Sequence, residues 1–176
     1  DQTVAQTGTL ASSSTMAANA AVGKSLPLDD RQDFEDATRG LIASQQPLQV
    51  TSAGGKTLWN MDDYAFIEGD APGSVNPSLW RQAKLNNING LFEVTKGIYQ
   101  LRGFDLANIS LIQGKSGWIL VDPLTTAPTA RNALAFAREQ LGEQRISAII
   151  FTHSHIDHFG GIAGVLNDAV IGRNCI

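Results

Sequence analysis

The sequence predicts an α/β fold, and three observations predict it. Trp118–Val121 and Ile146–Phe151 are short apolar runs of strand length, and the segment between them repeats its apolar residues at helical spacing. That order of strand, helix and strand is the pattern of a parallel crossover. Upstream, Phe92 to Val94, Ile98–Leu101 and Ile109–Ile112 are further strand-length runs separated by turn residues. Ahead of these, helical spacing prevails in two stretches.

Three parts follow in chain order. Residues 1–27 are rich in Ala, Ser and Thr and lack an apolar period, so they are read as a flexible or partner-wrapping arm. Residues 28–90 are read as a helix, a hairpin and a second helix. Asp29 and Asp30 suit a helix start, and Phe34, Ala37, Thr38, Leu41 and Ile42 recur at helical spacing, which predicts a helix over Leu28–Ser44. Leu48–Thr51 and Thr57–Asn60 flank Ser-Ala-Gly-Gly-Lys, whose glycines suit a tight hairpin turn. Tyr64–Ile67 is read as a short strand. Asn76 precedes Pro77 as cap and first helical residue, and Leu79, Ala83 and Leu85 form the expected inner stripe of a helix that Gly90 ends.

Residues 91–176 form the third part. Gly114–Gly117 reads as a hairpin turn, because the upstream glycine of a phosphate loop would fall at Ile109, inside a strand. Thr126 caps the next helix with Pro128 in its first turn; Ala130, Leu134, Ala137 and Leu141 face inward, and Gly142 stops it. The nearly all-apolar Ile146–Phe151 is expected to be covered on both faces.

Composition narrows the function. The chain of 176 residues carries a net charge of -4, and its Lys and Arg are not clustered, which argues against nucleic acid as a partner. No apolar run approaches the roughly 20 residues that span a bilayer, so membrane insertion is not expected. Cys175 is the single cysteine and cannot form an internal disulfide, which leaves cytosolic and exported locations both open.

All three histidines lie within six positions, His153 to His158, where the last apolar strand ends. In open parallel sheets ligands gather at the carboxyl ends of strands. His153 and His155 are two apart, so in extended chain their rings can face one cation. Asp157 and His158 follow where the chain turns, and can face a second ion about 3.5–4 Å away, the two sharing an activated water. Imidazole and carboxylate without thiolate suit zinc and admit manganese or iron. Asp157 is also expected to act in catalysis, orienting the attacking water. Asp122, at the end of the neighbouring strand, is expected to accept the second ring N–H of a ligating histidine or to brace its loop. Asn108 is read as a weaker substrate contact, whereas Trp80, Arg81 and Tyr64 are read as packing and surface pairing.

His-Ser-His-Ile-Asp-His fits the H-x-H-x-D-H signature, and with its lead-in from Leu91 to Phe151 the chain resembles the metallo-β-lactamase superfamily. The resemblance implies an αββα sandwich whose first half is present here, with His153 and His155 on one zinc and Asp157 and His158 on another. Asn76–Asn86 (NPSLWRQAKLN), Leu91–Ile112 (LFEVTKGIYQLRGFDLANISLI), Gly117–Thr126 (GWILVDPLTT) and Ile149–Gly161 (IIFTHSHIDHFGG) are in turn similar to the zinc-dependent alkyl sulfatases. That likeness runs from about Leu28 to Leu166. It implies hydrolysis of alkyl sulfate esters to alcohol and sulfate, two zinc ions in a complete site, a homodimer, and a periplasmic or secreted bacterial location. Family members are several times longer and complete the site with later carboxylates and a histidine, so this chain resembles their amino-terminal part. Two rivals remain: a hydrolase of the same fold acting on lactones, thioesters, β-lactams or phosphodiesters, and a non-catalytic piece serving oligomerisation.

Overall fold

The computed structural model describes residues 11–166. The elements are α1 (Ser13–Ser25), α2 (Gln32–Thr38), β1 (Leu41–Ala43), β2 (Gln49–Thr51), β3 (Thr57–Asn60), a 3₁₀ turn (Met61–Tyr64), α3 (Pro77–Asn86), β4 (Gly90–Thr95), β5 (Ile98–Arg102), β6 (Ile109–Gly114), β7 (Gly117–Val121), α4 (Ala127–Leu141), β8 (Ile146–Ile150), α5 (Ile156–Phe159) and α6 (Ile162–Val165). Six strands form one sheet in the order β1-β4-β5-β6-β7-β8, while β2 and β3 pair as a separate hairpin. All neighbours in the large sheet are antiparallel except β7 and β8.

The strands from β4 to β7 alternate as a sheet with one packed face must. Leu91, Leu101, Ile109, Leu111, Trp118 and Leu120 are fully buried on one face, where α4 covers them with Ala130, Ala133, Leu134 and Ala137. The intervening Ile98, Ile112, Ile119 and Val121 point to the opposite face and are half-buried. One helical layer therefore rests on one sheet face, as the first half of the expected αββα sandwich requires. Helix α4 begins and ends where its sequence dictates: the Thr126 side chain accepts the Thr129 N–H, and Gly142 closes it at φ 89°. Asn76 caps α3 in the same way, its side chain accepting the Ser78 N–H ahead of Pro77.

Three expectations are corrected, and the region read as a flexible or partner-wrapping arm gains a helix, Ser13–Ser25. Ser12 accepts the Thr15 N–H, and the alanines that deprive the segment of an apolar stripe are also its strongest helix formers. This helix buries no residue, and Asn19 Nδ2 ties it to the Gly73 carbonyl at 2.9 Å. Residues 1–10, the start of that arm, lie outside the described residues, as does Cys175.

The helix expected over Leu28–Ser44 stops at Thr38. Gly40 then adopts φ 75° and its carbonyl accepts the Glu93 N–H, so Leu41–Ala43 joins the sheet beside β4. Sheet hydrogen bonding outweighs a helical spacing that Leu41 and Ile42 satisfied on paper. Tyr64–Ile67 is not a strand; Asn60 caps a 3₁₀ turn there by accepting the Asp62 N–H. Lastly, β8 is not covered on both faces. It is the edge of the sheet in the described residues, with Ile150 and Phe151 each nearly half exposed.

Candidate metal centre

The parallel pairing of β7 with β8 sets up the site. Val121 lies opposite Ile150, and the Asp122 N–H continues the ladder to the Ile150 carbonyl at 3.0 Å. The two strands therefore end together, and Asp122 comes beside Thr152 and the histidine loop. Asp122 and Leu124 both have positive φ, 57° and 66°, on either side of Pro123. Left-handed backbone at a non-glycine residue is costly and is held only where surroundings enforce it. Here the enforcement is visible: Leu124 is fully buried, and Asp122 is locked by its hydrogen bonds.

Asp122 is the hub of those bonds. Its Oδ1 accepts the Thr152 N–H at 2.8 Å, and its Oδ2 accepts both the Thr152 hydroxyl at 2.6 Å and the His158 Nδ1–H at 2.8 Å. Burial pushes this carboxyl up, but the Thr152 hydroxyl, the Thr152 N–H and the His158 ring together outweigh it and hold the group below the usual carboxylate range. The bonds also set which ring nitrogen is engaged. A carboxylate can only accept, so His158 donates to Asp122 from Nδ1, and Nε2 is the nitrogen left to face a metal. The Thr152 hydroxyl spends its proton on Asp122, so at 3.0 Å it accepts from His153 Nδ1, and His153 Nε2 is likewise the nitrogen left over. One buried carboxylate thus orients two imidazoles.

The four expected metal ligands share one loop. The His153 and His155 ring centroids are 4.7 Å apart, and those of His153 and His158 are 4.1 Å apart. Asp157 and His158 sit in the short helix α5, with Asp157 Oδ2 3.3 Å from His158 Nε2. Among the described residues, however, no three His, Cys, Asp or Glu side chains close on one point as a ligand set. Instead the His153 and His158 rings face one another at a tilt of 48°, and His158 Nε2 faces Asp157 Oδ2. The donors fit a borderline divalent cation in kind, and the two pinned Nδ1–H groups fit it in orientation.

The loop is seated by close approach to the Pro123–Ala127 backbone. Gly161 N–H donates to the Leu124 carbonyl at 2.8 Å, and a Cβ at Gly161 would collide with the Pro123 carbonyl and the Ala130 methyl. A Cβ at Gly160 would likewise strike the Thr125 carbonyl.

Asn108 lies just before β6, whose Ser110 pairs with Val121, so it belongs to the same sheet edge as Asp122. It lines a cavity of about 520 Å³ together with Arg102, Leu106, Trp59, Met61 and Tyr64. Tyr64, expected only to pack, therefore borders this cavity. Trp80 is buried and Arg81 pairs with Asp33 at 2.7 Å, as packing and surface pairing require. Sequence reasoning passed over Thr152, although it stands inside the histidine run, and Asp105, whose partners come from a distant loop.

Residues 102–172 match the model of the metallo-β-lactamase superfamily. The chain is 51% identical over 160 residues to an (R)-specific secondary-alkylsulfatase of Pseudomonas sp., covering 90% of this chain and 24% of that protein. It is 44% identical over 157 residues to an alkyl/aryl-sulfatase of Saccharomyces cerevisiae, covering 89% and 24%, and 44% identical over 167 residues to a linear primary-alkylsulfatase of Pseudomonas sp., covering 94% and 25%. A solved structure of a stereoselective inverting sec-alkylsulfatase from Pseudomonas sp. superposes with a TM-score of 0.88 at 50% identity, over 93% of this chain and 26% of that one. The chain thus spans about a quarter of the length of the relatives it matches. Sheet order, histidine loop and these likenesses agree: residues 102–172 match the metallo-β-lactamase superfamily, and the chain aligns with one stretch of the named sulfatases.

Proposed function

We propose that the protein to which this chain belongs hydrolyses alkyl sulfate esters to an alcohol and inorganic sulfate, with zinc as its metal and two ions in the complete site. The observation that carries the reading is the clustering of His153, His155 and His158 at the end of β8, two of them oriented by Asp122, in a chain 44–51% identical to two proteins named as alkylsulfatases and one named as an alkyl/aryl-sulfatase. His153, His155, Asp157 and His158 would hold the metal. When bound, such ions polarise an ester oxygen and make a water acidic enough to serve near neutral pH.

The chain's own residues supply orientation and proton handling. Asp122 holds His158 Nδ1 directly and His153 Nδ1 through Thr152, which leaves the Nε2 atoms of both rings to face a metal. Asp157, about two-thirds shielded, presents a carboxylate oxygen that can align a water or take its proton. The cavity beside Asn108 offers apolar walls from Trp59, Met61 and Leu106 on which an alkyl chain can lie, with Asn108 as a polar group at its margin.

The test is sulfate release by the intact protein from primary and secondary alkyl sulfates, before and after chelation, set against lactone and phosphodiester turnover. Chelation should abolish sulfate release and zinc should restore it. Unchanged hydrolysis after chelation, or faster turnover of lactones or phosphodiesters, would overturn the reading. The same resemblance supports a homodimer and a periplasmic or secreted location as proposals, which sedimentation and cell fractionation test directly. No helix among the described residues is long and apolar enough to cross a membrane.

A further inference from the structure

Asp105 is a buried carboxylate, 7% exposed, in the loop between β5 and β6, and no cation among the described residues pairs with it. Its oxygens accept four hydrogen bonds instead. Oδ1 takes the Leu106 N–H at 2.6 Å and the Thr125 hydroxyl at 2.7 Å; Oδ2 takes the Thr125 N–H at 3.2 Å and the Thr129 hydroxyl at 2.5 Å. Thr125 lies in the loop after β7 and Thr129 in the first turn of α4, where the helix dipole favours a negative charge. The carboxylate therefore bolts three segments together: the loop carrying Leu106 and Asn108, the loop carrying Asp122 and Leu124, and the start of α4.

What rests on that bolt is the histidine loop. The Leu124 carbonyl, one residue from Thr125, accepts the Gly161 N–H, and the Thr125 carbonyl is the surface against which Gly160 packs. Gly160 and Gly161 directly follow α5, which carries Asp157 and His158. A shift of the Leu124–Thr126 backbone moves the seat of α5, and with it the side chains that Asp122 orients.

We propose that Asp105 is a positioning residue for the metal centre, acting through Thr125 and Thr129 to fix the seat of α5. It touches none of the four expected ligands. The inference rests on the proposed function only for any activity readout, so its test uses two others. In Asp105→Asn the amide NH2 must face either the Thr125 or the Leu106 backbone N–H, which leaves one donor opposed by a donor. Thr129→Val removes the bond to Asp105 together with the hydroxyl's contacts to the Thr126 hydroxyl and carbonyl, and Thr129→Ser keeps all three.

In the intact protein, held well below its melting temperature, Zn²⁺ affinity is measured by competition with a chromophoric chelator. Amide exchange of Gly161 in the metal-free protein is measured relative to Trp118, whose N–H bonds Arg145 at the far end of β7. Asp105→Asn is expected to weaken Zn²⁺ binding about 10–100-fold and to speed Gly161 exchange relative to Trp118. Thr129→Val should show a severalfold loss, and Thr129→Ser should stay within about twofold of the parent. A lowered melting temperature with parental Zn²⁺ affinity and parental Gly161 exchange would mean a merely structural role and overturn the proposal. If Asp105→Asn does not fold, Thr129→Val decides alone, with parental values overturning it. A parent protein that releases no sulfate from alkyl sulfates would defeat the proposed activity while leaving both of these comparisons intact.

Discussion

The Asp122 carboxylate accepts the His158 Nδ1–H at 2.8 Å, although 36 positions of sequence separate the two residues. The contact exists because β7 and β8 are parallel neighbours that end at the same level, one feeding Asp122 and the other the histidine loop. A buried acceptor that holds a ring N–H fixes which nitrogen can meet a metal.

Asp122→Asn tests that relationship with little backbone penalty, since asparagine tolerates the left-handed conformation that Asp122 occupies. Its amide NH2 would oppose either the Thr152 N–H or the Thr152 hydroxyl and His158 donors. On the proposed zinc site, affinity for the ion is expected to fall about 10–100-fold, read by chelator competition. Unchanged affinity would show that His158 is oriented by something else.

Thr152 transmits the same carboxylate to His153. Thr152→Val deletes one hydroxyl that both donates to Asp122 and accepts from His153, and should cost about 1 kcal/mol of metal binding, roughly fivefold. Thr152→Ser should restore the parental value. Equal loss in the serine and valine variants would argue against the hydroxyl as the cause.

Gly161→Ala places a methyl against the Pro123 carbonyl and Ala130. The strain should reduce stability by about 1–3 kcal/mol, visible as a lower denaturation midpoint in urea. Gly142→Ala makes the contrast: a Cβ there meets nothing, so only the φ of 89° is at issue.

Leu106 is three-quarters exposed and borders the cavity. Leu106→Ser should leave stability within about 0.5 kcal/mol. On the proposed activity it should raise KM severalfold for long-chain alkyl sulfates and little for short ones, with kcat nearly constant. A uniform change across chain lengths would remove Leu106 from the substrate path.

The sequence by itself determined the elements whose signals are local. Helix α4 was legible between Thr126 and Gly142, and the strands β4 to β7 between their turns, because capping residues and alternation act over a few positions. The histidine run was legible for the same reason: its donors are neighbours in the chain. A spacing that fits two structures is not settled locally, and so Leu41 and Ile42 went to the sheet when Gly40 and Glu93 met.

Only the tertiary structure decided the supports of the site. Asp122 finds His158 across a parallel crossover, and Asp105 finds Thr125 and Thr129 across two loops. Nothing local to Gly-Phe-Asp-Leu marks its aspartate as buried. Hydrogen-bond partners brought together by strand order carry no trace in nearest-neighbour sequence, because the free energy that joins them comes from packing β5 to β7 under α4.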